Sequence, residues 1–420
     1  MPATEQPLRI AYAIQNVGGI DFHQMVGDAV PVRYSILGLQ ERGHEVRCIK
    51  HEGRSAIGLD DLTKLDQIQD LPVGVSGSSQ FQFVESGVRR LQRMVGLPYF
   101  AFFDTLRFYE ACLRSFPGFH LCHEHNGLFM GGAALAAQRL GLPYILTFSA
   151  DPLLERDLVG HRLRGMHHLA ASSEARYAYK AAKRIICVSE PARQHLIKNW
   201  RVDPDKIVVM PNGVDTNLFR PDYAGEQLRK RWDLNGRPVV GFLGAFHPWH
   251  GLDLLVQSFS SILADIPSAV LLLIGDGRAR PVVEQTVRQC GVASNVKITG
   301  LLPQDEAAAL LSVVDVAVLP YPKLPQELWF SPLKLYEYMS SGKAIVASRA
   351  GQIREVLEHN QTGLLVESGD IQGFTEAIKS LLQSPSLRSY LGQNARQQAV
   401  KHHSWHRYID RLEAIYQSVL

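Results

Sequence analysis

WFSPLKLYEYMSSGKAIVAS, residues 329–348, couples an apolar helix to a short buried strand. Ser331 followed by Pro332 reads as an N-cap and a first helical position, where the missing proline N–H costs nothing. Gly342 closes the helix, and AIVAS then has the length and composition of a strand buried on both faces. Within the first turn stands Lys334, and Glu337 follows it among Leu335, Tyr336, Tyr338 and Met339. The positive end of a helix dipole disfavours a lysine, and an anion held at that end removes the conflict. The plainer alternative is a Lys334–Glu337 pair on the helix surface.

Outward from this stretch, strand and helix patterns alternate along nearly the whole chain. LRIAYAI, HEVRCI, FHLCHEH, PYILTFS, RIICVS and KIVVMP are strand candidates in the first half. PVVGFLGAF, AVLLLIGDG, NVKITG, VAVLP, KAIVAS and TGLLVES form a second series. Short apolar strands separated by helices predict parallel sheets covered on both faces. The pattern implies an α/β protein of two doubly wound, Rossmann-like domains, 1–215 and 216–403, with the break near NGVDTNLFRPDYAGEQ (212–227). A last amphipathic helix, about 404–420, is expected to return to the first domain.

Composition sets bounds on function. Of 420 residues, 46% are hydrophobic and 20% charged, as in ordinary globular proteins. A formal charge of +3 is too small to imply nucleic acid, so anion binding must be local. The five cysteines show no C-x-x-C and no zinc-like grouping, which fits a reduced, cytoplasmic chain. MPATEQPLRIAYA has no charged segment followed by a long apolar one, so no signal peptide is expected. Nor does any run approach the roughly 18 apolar residues of a membrane span. Residues 52–85, rich in Gly, Ser, Asp and Gln, read as a long loop. The following stretch, 88–115, is aromatic and carries Arg89, Arg90, Arg93, Arg107 and Arg114. Either it packs as helices on the first sheet, or it is an acceptor-binding or membrane-surface face, at the inner membrane for a cytoplasmic protein.

In open parallel sheets, ligands bind at the carboxyl ends of the strands. Gly18 and Gly19 follow the first strand of the first half, and Gly244 follows the first strand of the second. Neither site is G-x-G-x-x-G, and no G-x-x-x-x-G-K-[ST] occurs, which argues against a nicotinamide dehydrogenase and a P-loop NTPase.

Taken in order, GGI, RGHEV, VMPNGVDTNLFRP, LLLIGDG, SPLKLYEYM and KAIVAS resemble glycosyltransferase family 4, retaining enzymes of the two-domain GT-B fold, over the whole chain. The resemblance implies that the second domain binds a nucleotide-sugar donor and the first an acceptor, across a cleft. It implies that Glu337 accepts from the ribose hydroxyls. Backbone amides at the start of the helix, in the segment Ser331, Pro332, Leu333, Lys334 and Leu335, would then hold the diphosphate, with Lys334 adding charge.

Three departures stand out. Trp329 occupies the position of an upstream glutamate that contacts the donor sugar, and Glu327 lies two residues earlier. The loop GAFHPWHG offers His247 and His250 where relatives carry an Arg and a Lys; an imidazole donates to phosphate and takes a proton there. Ser149, in ILTFSADP, stands where many relatives have a histidine, leaving Asp151, Glu124 and Glu155 as substitutes. On the strand HLCHEHNG, His123 and His125 point to one face and Glu124 to the other. With Asn126 these are acceptor-site candidates, against a structural reading of Asn126–Gly127 as a strand-end turn.

The expected function is retaining transfer of a sugar from a nucleoside-diphosphate sugar, by default UDP, to a hydroxyl. The acceptor is a glycan, a lipid-linked sugar or a small molecule. No D-x-D run lies in a suitable loop, and neither a metal nor another cofactor is expected. Two rival readings are a GT-B nucleotide-sugar epimerase and a degenerate relative that binds nucleotide sugar or glycan without turnover.

Overall fold

The computed structural model describes residues 6–15, 27, 29–95, 101–158, 160–223, 225–324 and 329–420. The chain divides into two units, Met1–Pro211 with Tyr408–Leu420, and Asn212–Arg407. Each is an α/β sheet layered with helices, parallel as the alternation of strands and helices predicts except for an edge hairpin in the first unit.

The first unit holds β1 (Arg9–Ile14), β2 (Glu45–Glu52), β3 (Ser55–Leu59), β4 (Gln69–Asp70), β5 (Leu121–His125), β6 (Tyr144–Phe148), β7 (Arg184–Cys187) and β8 (Ile207–Val209). Their order is β4-β3-β2-β1-β5-β6-β7-β8. The six strands from β2 to β8 are parallel, while β3 and β4 extend the β2 edge antiparallel. This corrects the reading of residues 52–85 as a loop. Glu52 pairs with Ser55 across a tight Gly53–Arg54 turn, a hairpin whose short second strand is diluted by Gly58. The helix Ser79–Met94 also begins inside that span.

The end of the chain is fixed into this unit. Arg42 bonds Asp410 at 2.5 Å and Glu413 at 2.6 Å, and His44 meets Glu413 at 2.9 Å. Tyr416 reaches His123 in the interior of the sheet at 2.6 Å.

The second unit is wholly parallel: β9 (Val239–Leu243), β10 (Val270–Ile274), β11 (Val296–Ile298), β12 (Val316–Leu319), β13 (Ala344–Ser348) and β14 (Leu364–Val366), in the order β11-β10-β9-β12-β13-β14. VVGFL, VLLLI, VAVL and AIVAS are buried along their whole length, because helices cover both faces. One face packs Leu243, Leu272, Leu319 and Ile345 against Leu335, Tyr338 and Met339 of the helix Leu333–Ser340. The other packs Phe242, Leu273 and Val346 against Leu255, Phe259 and Phe374. Each such side chain is worth about 1.5–3 kcal/mol on burial. Their sum holds the carboxyl ends of β9, β10 and β12 in register, and the loops that leave those ends form the site. Among the described residues, no helix is long and apolar enough to cross a membrane.

Candidate functional site

The helix Leu333–Ser340 is anchored from below. Tyr338 Oη accepts from the Leu243 amide at 2.8 Å, at the end of β9, and Tyr336 Oη donates to Gln352 at 2.8 Å. Lys343, buried just past the helix, donates to the Ser312 and Val314 carbonyls. Burial lowers its pKa to about 8.

The helix starts one residue later than the sequence implies. Pro332 is the N-cap, extended at φ −72° and ψ 113°, and contributes no side-chain cap. The Ser331 hydroxyl is engaged elsewhere, accepting from the Asn212 amide at 3.2 Å and donating to Tyr336 at 3.2 Å. The Leu335 amide is also occupied, donating to the Pro332 carbonyl at 3.0 Å. Among the described residues, the amides of Leu333 and Lys334 form the open end of the helix.

Lys334 lies at that end, buried to 8% exposure. Its ammonium is 4.1 Å from the centroid of the Phe242 ring and 3.4–3.5 Å from the two nitrogens of His250. Burial lowers its pKa to about 7, and the Glu337 carboxylate partly offsets this. Glu337 is pushed up to about 7 by desolvation, against the pull of Lys334. Its side chain sits among dense protein atoms yet keeps partial contact with solvent. A cation that is buried, cushioned by rings and, among the described residues, without a carboxylate at salt-bridge distance is costly to hold in a fold. A bound anion would compensate it.

The glycine turns make room for the lysine. Gly244 has φ +123°, and a Cβ there would stand 3.0 Å from Lys334 Cε and 3.1 Å from its Nζ. Gly275, at φ +137°, has no room for a Cβ, which would fall 2.2 Å from the Gly244 carbonyl oxygen. The β9 and β10 turns are laced by Gly244 N–H to Ile274 O at 2.9 Å and Phe246 N–H to Asp276 O at 2.8 Å.

His250 is a buried neighbour of the lysine. Its Nδ1 lies 2.6 Å from the Ala245 carbonyl, which can only accept, so Nδ1 carries the proton, while the Lys334 ammonium, 3.4 Å from Nε2 and 3.5 Å from Nδ1, faces the ring and not the Nε2 lone pair. His247 is half-buried and stacked on Trp249, centroids 4.4 Å apart. Burial, Lys334 and Arg278 lower His247 to about 4, and burial and Lys334 hold His250 well below its ordinary value. Both imidazoles are therefore neutral at pH 7. Only His247 retains partial exposure. Arg278, exposed after β10, acts on His247 electrostatically and was not singled out in the sequence; its only signal was its place directly after GDG. Phe242 was hidden as one more apolar strand residue. Gly18, Gly19 and Glu327 lie outside the described residues. Trp329 is buried.

The candidates in the first unit separate into interior and strand-end groups. His123 is fully buried, bridging Tyr416 at 2.6 Å and Thr147 at 2.7 Å, with its pKa lowered to about 3 by burial. Glu124 is fully buried as well; it accepts from Tyr144 at 2.5 Å, and desolvation raises it to about 8. Neither reaches solvent, which corrects their place in an acceptor site. Asp151 is likewise used up internally: its carboxylate meets His195 and Trp200 at 2.8 Å each and caps the Leu153 amide at 2.9 Å. Asn126 ties the strand-end turn, donating to Ala150 O at 2.7 Å and accepting from the Ser149 amide at 2.9 Å. His125 Nε2 lies 3.0 Å from Ser149 Oγ. Hence an imidazole from β5 stands beside the serine that follows β6, and Ser149 keeps partial exposure.

Comparison with known proteins bears on both units. Residues 31–218 match the model of Glycosyltransferase Family 4, and residues 237–384 match that of Glycosyl transferases group 1. The chain is 31% identical, over 199 residues and 47% of its length, to the GDP-mannose-dependent alpha-(1-6)-phosphatidylinositol monomannoside mannosyltransferase of Mycobacterium tuberculosis. The match spans about half of that relative, 52%. Among solved structures it resembles sucrose-phosphate synthase from Thermosynechococcus elongatus, with a TM-score of 0.71 at 18% identity, covering 98% of each chain. It also resembles Anabaena HepE in complex with UDP, with a TM-score of 0.68 at 15% identity, covering 98% and 100%. At these identities the likeness is one of fold, the GT-B fold.

Proposed function

Because the chain belongs to glycosyltransferase family 4, we propose that it moves a sugar from a nucleoside-diphosphate sugar to a hydroxyl of a glycan, lipid-linked or small-molecule acceptor. The observation that carries this reading is the buried Lys334 ammonium at the open end of the helix Leu333–Ser340. A departing diphosphate offers a close anion to this cation, which among the described residues has no carboxylate at salt-bridge distance. The amides of Leu333 and Lys334 and the neutral His247 add hydrogen-bond donors, and preorganised donors of this kind stabilise charge that develops in a transition state. Glu337, one turn deeper, takes the ribose hydroxyls.

In the proposed reaction the bond between the anomeric carbon and the diphosphate oxygen breaks. The acceptor oxygen forms the new glycosidic bond on the same face, and its proton passes to the leaving phosphate. Configuration is retained. No metal is needed where Lys334 and the helix amides meet the negative charge. UDP is the base proposed from the family, and GDP is the rival because the mannosyltransferase relative is GDP-mannose-dependent. The aromatic, arginine-bearing segment of the first unit supports peripheral contact with a membrane surface.

The test is thermal stabilisation by a panel of UDP-, GDP- and ADP-sugars, since a ligand that binds the native state raises the melting temperature by mass action. One nucleotide series should stabilise the protein, with a smaller effect on Lys334→Ala. Consumption of that donor with a glycan extract should follow. Binding without turnover would favour a degenerate relative, and no stabilisation by any nucleotide would remove the reading of Lys334.

A further inference from the structure

The helix Ser79–Met94 in the first unit is turned inside out. Its inward stripe is charged and polar: Glu85 is 0% exposed, Gln92 is buried, and Arg89 is half-buried. Phe81 packs half-buried on Phe103, but the other apolar residues face solvent, with Phe83 81% exposed, Leu91 60% and Met94 76%, alongside Val84, Val88 and, at the C-cap, Val95. At 100° per residue these six fall on one continuous arc, next to the inward stripe.

The orientation is fixed by ion pairs. Arg107, 1% exposed on the helix Phe102–Ser115, bonds Glu85 at 2.6 Å, and Arg89 meets Glu85 at 2.5 Å and Asp104 at 3.0 Å. Glu110 of the same neighbouring helix accepts from the amides of Gly74, Val75 and Ser76, pinning the chain just before the helix begins. Rolling the apolar arc inward would break the Glu85–Arg107 pair and strand buried charges, at a large cost. An exposed apolar arc of this size, held in place, marks an interaction surface.

Charge identifies the partner. The acidic residue of this helix, Glu85, is buried, so the exposed charges are Arg90, at the Phe83 edge of the apolar arc, and Arg93, between Arg90 and the inward stripe. An apolar arc bordered on one side by arginines on the same helix matches a membrane interface. There the apolar side chains enter the acyl boundary while guanidinium groups meet lipid phosphates. We propose that the face of Phe83, Val84, Val88, Leu91 and Met94, with Arg90 and Arg93, docks this protein on an anionic lipid surface. The inference rests on the peripheral contact proposed above and assigns that contact to one helix.

The experiment is vesicle sedimentation of the full chain at low salt, with phosphatidylglycerol-containing vesicles against pure phosphatidylcholine. The wild type should sediment with the anionic vesicles. Val88→Asp combined with Leu91→Asp should abolish this, and Arg90→Ser with Arg93→Ser should weaken it about twenty-five-fold, at about fivefold per basic residue. Both variants leave the inward ion pairs intact and should keep the wild-type melting temperature and the nucleotide-induced shift. If the wild type sediments and both variants sediment equally, this face is not the docking surface, although peripheral contact stands. If the wild type ignores anionic vesicles, both fall while the nucleotide test stands apart. Concentration-dependent dimerisation lost in Val88→Asp/Leu91→Asp, without vesicle binding, would instead make the face an interface between copies.

Discussion

Lys334 stands against the ring of His250: its ammonium lies 3.4 Å from Nε2 and 3.5 Å from Nδ1, while the Nδ1 proton is held by the Ala245 carbonyl at 2.6 Å. The imidazole thus acts through the lysine, as a positioning residue. His250→Ala removes the ring that faces the ammonium, whereas His250→Phe keeps a ring face in the same packing. Affinity for the stabilising nucleoside diphosphate should fall about two- to thirtyfold in His250→Ala, the range of a cation–ring contact of about 0.5–2 kcal/mol, and far less in His250→Phe. Calorimetric titration of wild type and both variants checks this. A purely structural role would lower the melting temperature and leave the affinity of the folded fraction unchanged.

The depressed pKa of Lys334, about 7 in the empty site, predicts proton-linked binding. A diphosphate favours the ammonium, so binding takes up a proton and affinity declines as pH rises above about 7. One linked proton limits the slope to about tenfold per pH unit. The stability of the empty protein has the opposite sign. The unfolded lysine keeps its proton to its ordinary 10.5 and the folded one loses it near 7, so this group makes the empty fold more stable as pH rises across that window. Titrations in buffers of different ionisation enthalpy should show proton uptake at pH 8 that disappears in Lys334→Ala. Equal affinity at pH 7 and pH 9 would show that the lysine does not meet the anion.

The sequence made Lys334 and Glu337 visible because a cation in the first turn of an apolar helix contradicts the dipole, and contradiction is readable. The parallel sheets were readable for a similar reason, since VLLLI and AIVAS are continuously apolar. What stayed hidden depends on tertiary neighbours. On a strand, His123 and Glu124 look like paired candidates, but Tyr416, nearly three hundred residues away in sequence, and Tyr144 bury them. Pro332 takes the N-cap from Ser331 because Asn212 and Tyr336 occupy that hydroxyl, which no local pattern announces. The inverted helix Ser79–Met94 has an unmistakable apolar periodicity, yet periodicity alone cannot say which face is buried.

The two glycine turns should separate binding from stability. Gly244→Ala places a methyl group against the lysine, 3.0 Å from its Cε, which is the flexible part of a side chain and yields by moving. It should displace Lys334 and weaken nucleotide binding at least tenfold, with about 1–3 kcal/mol of backbone strain at the left-handed φ. Gly275→Ala meets the rigid Gly244 carbonyl oxygen at 2.2 Å and should destabilise the second unit more severely, reducing soluble yield or melting temperature before any effect on binding can be read. Urea denaturation of both variants checks the order. Equal stabilities would contradict the close approach of the two turns.

Glu124 supplies a stability test away from the nucleotide site. Desolvation raises this carboxyl from 4.5 to about 8 in the folded chain, so between those values the native state holds a proton that the unfolded state has lost. Stability from this group is therefore complete below the unfolded value and is lost progressively as pH rises to about 8, on the order of a few kcal/mol. Glu124→Gln keeps an oxygen to accept from Tyr144 and cannot ionise. Relative to wild type its melting temperature should gain steadily from pH 5 to pH 8. Parallel curves would mean that Glu124 is already ionised in the fold and so is solvated or paired. Such a result would return it to the acceptor-site candidates, from which its burial beside Tyr144 removes it.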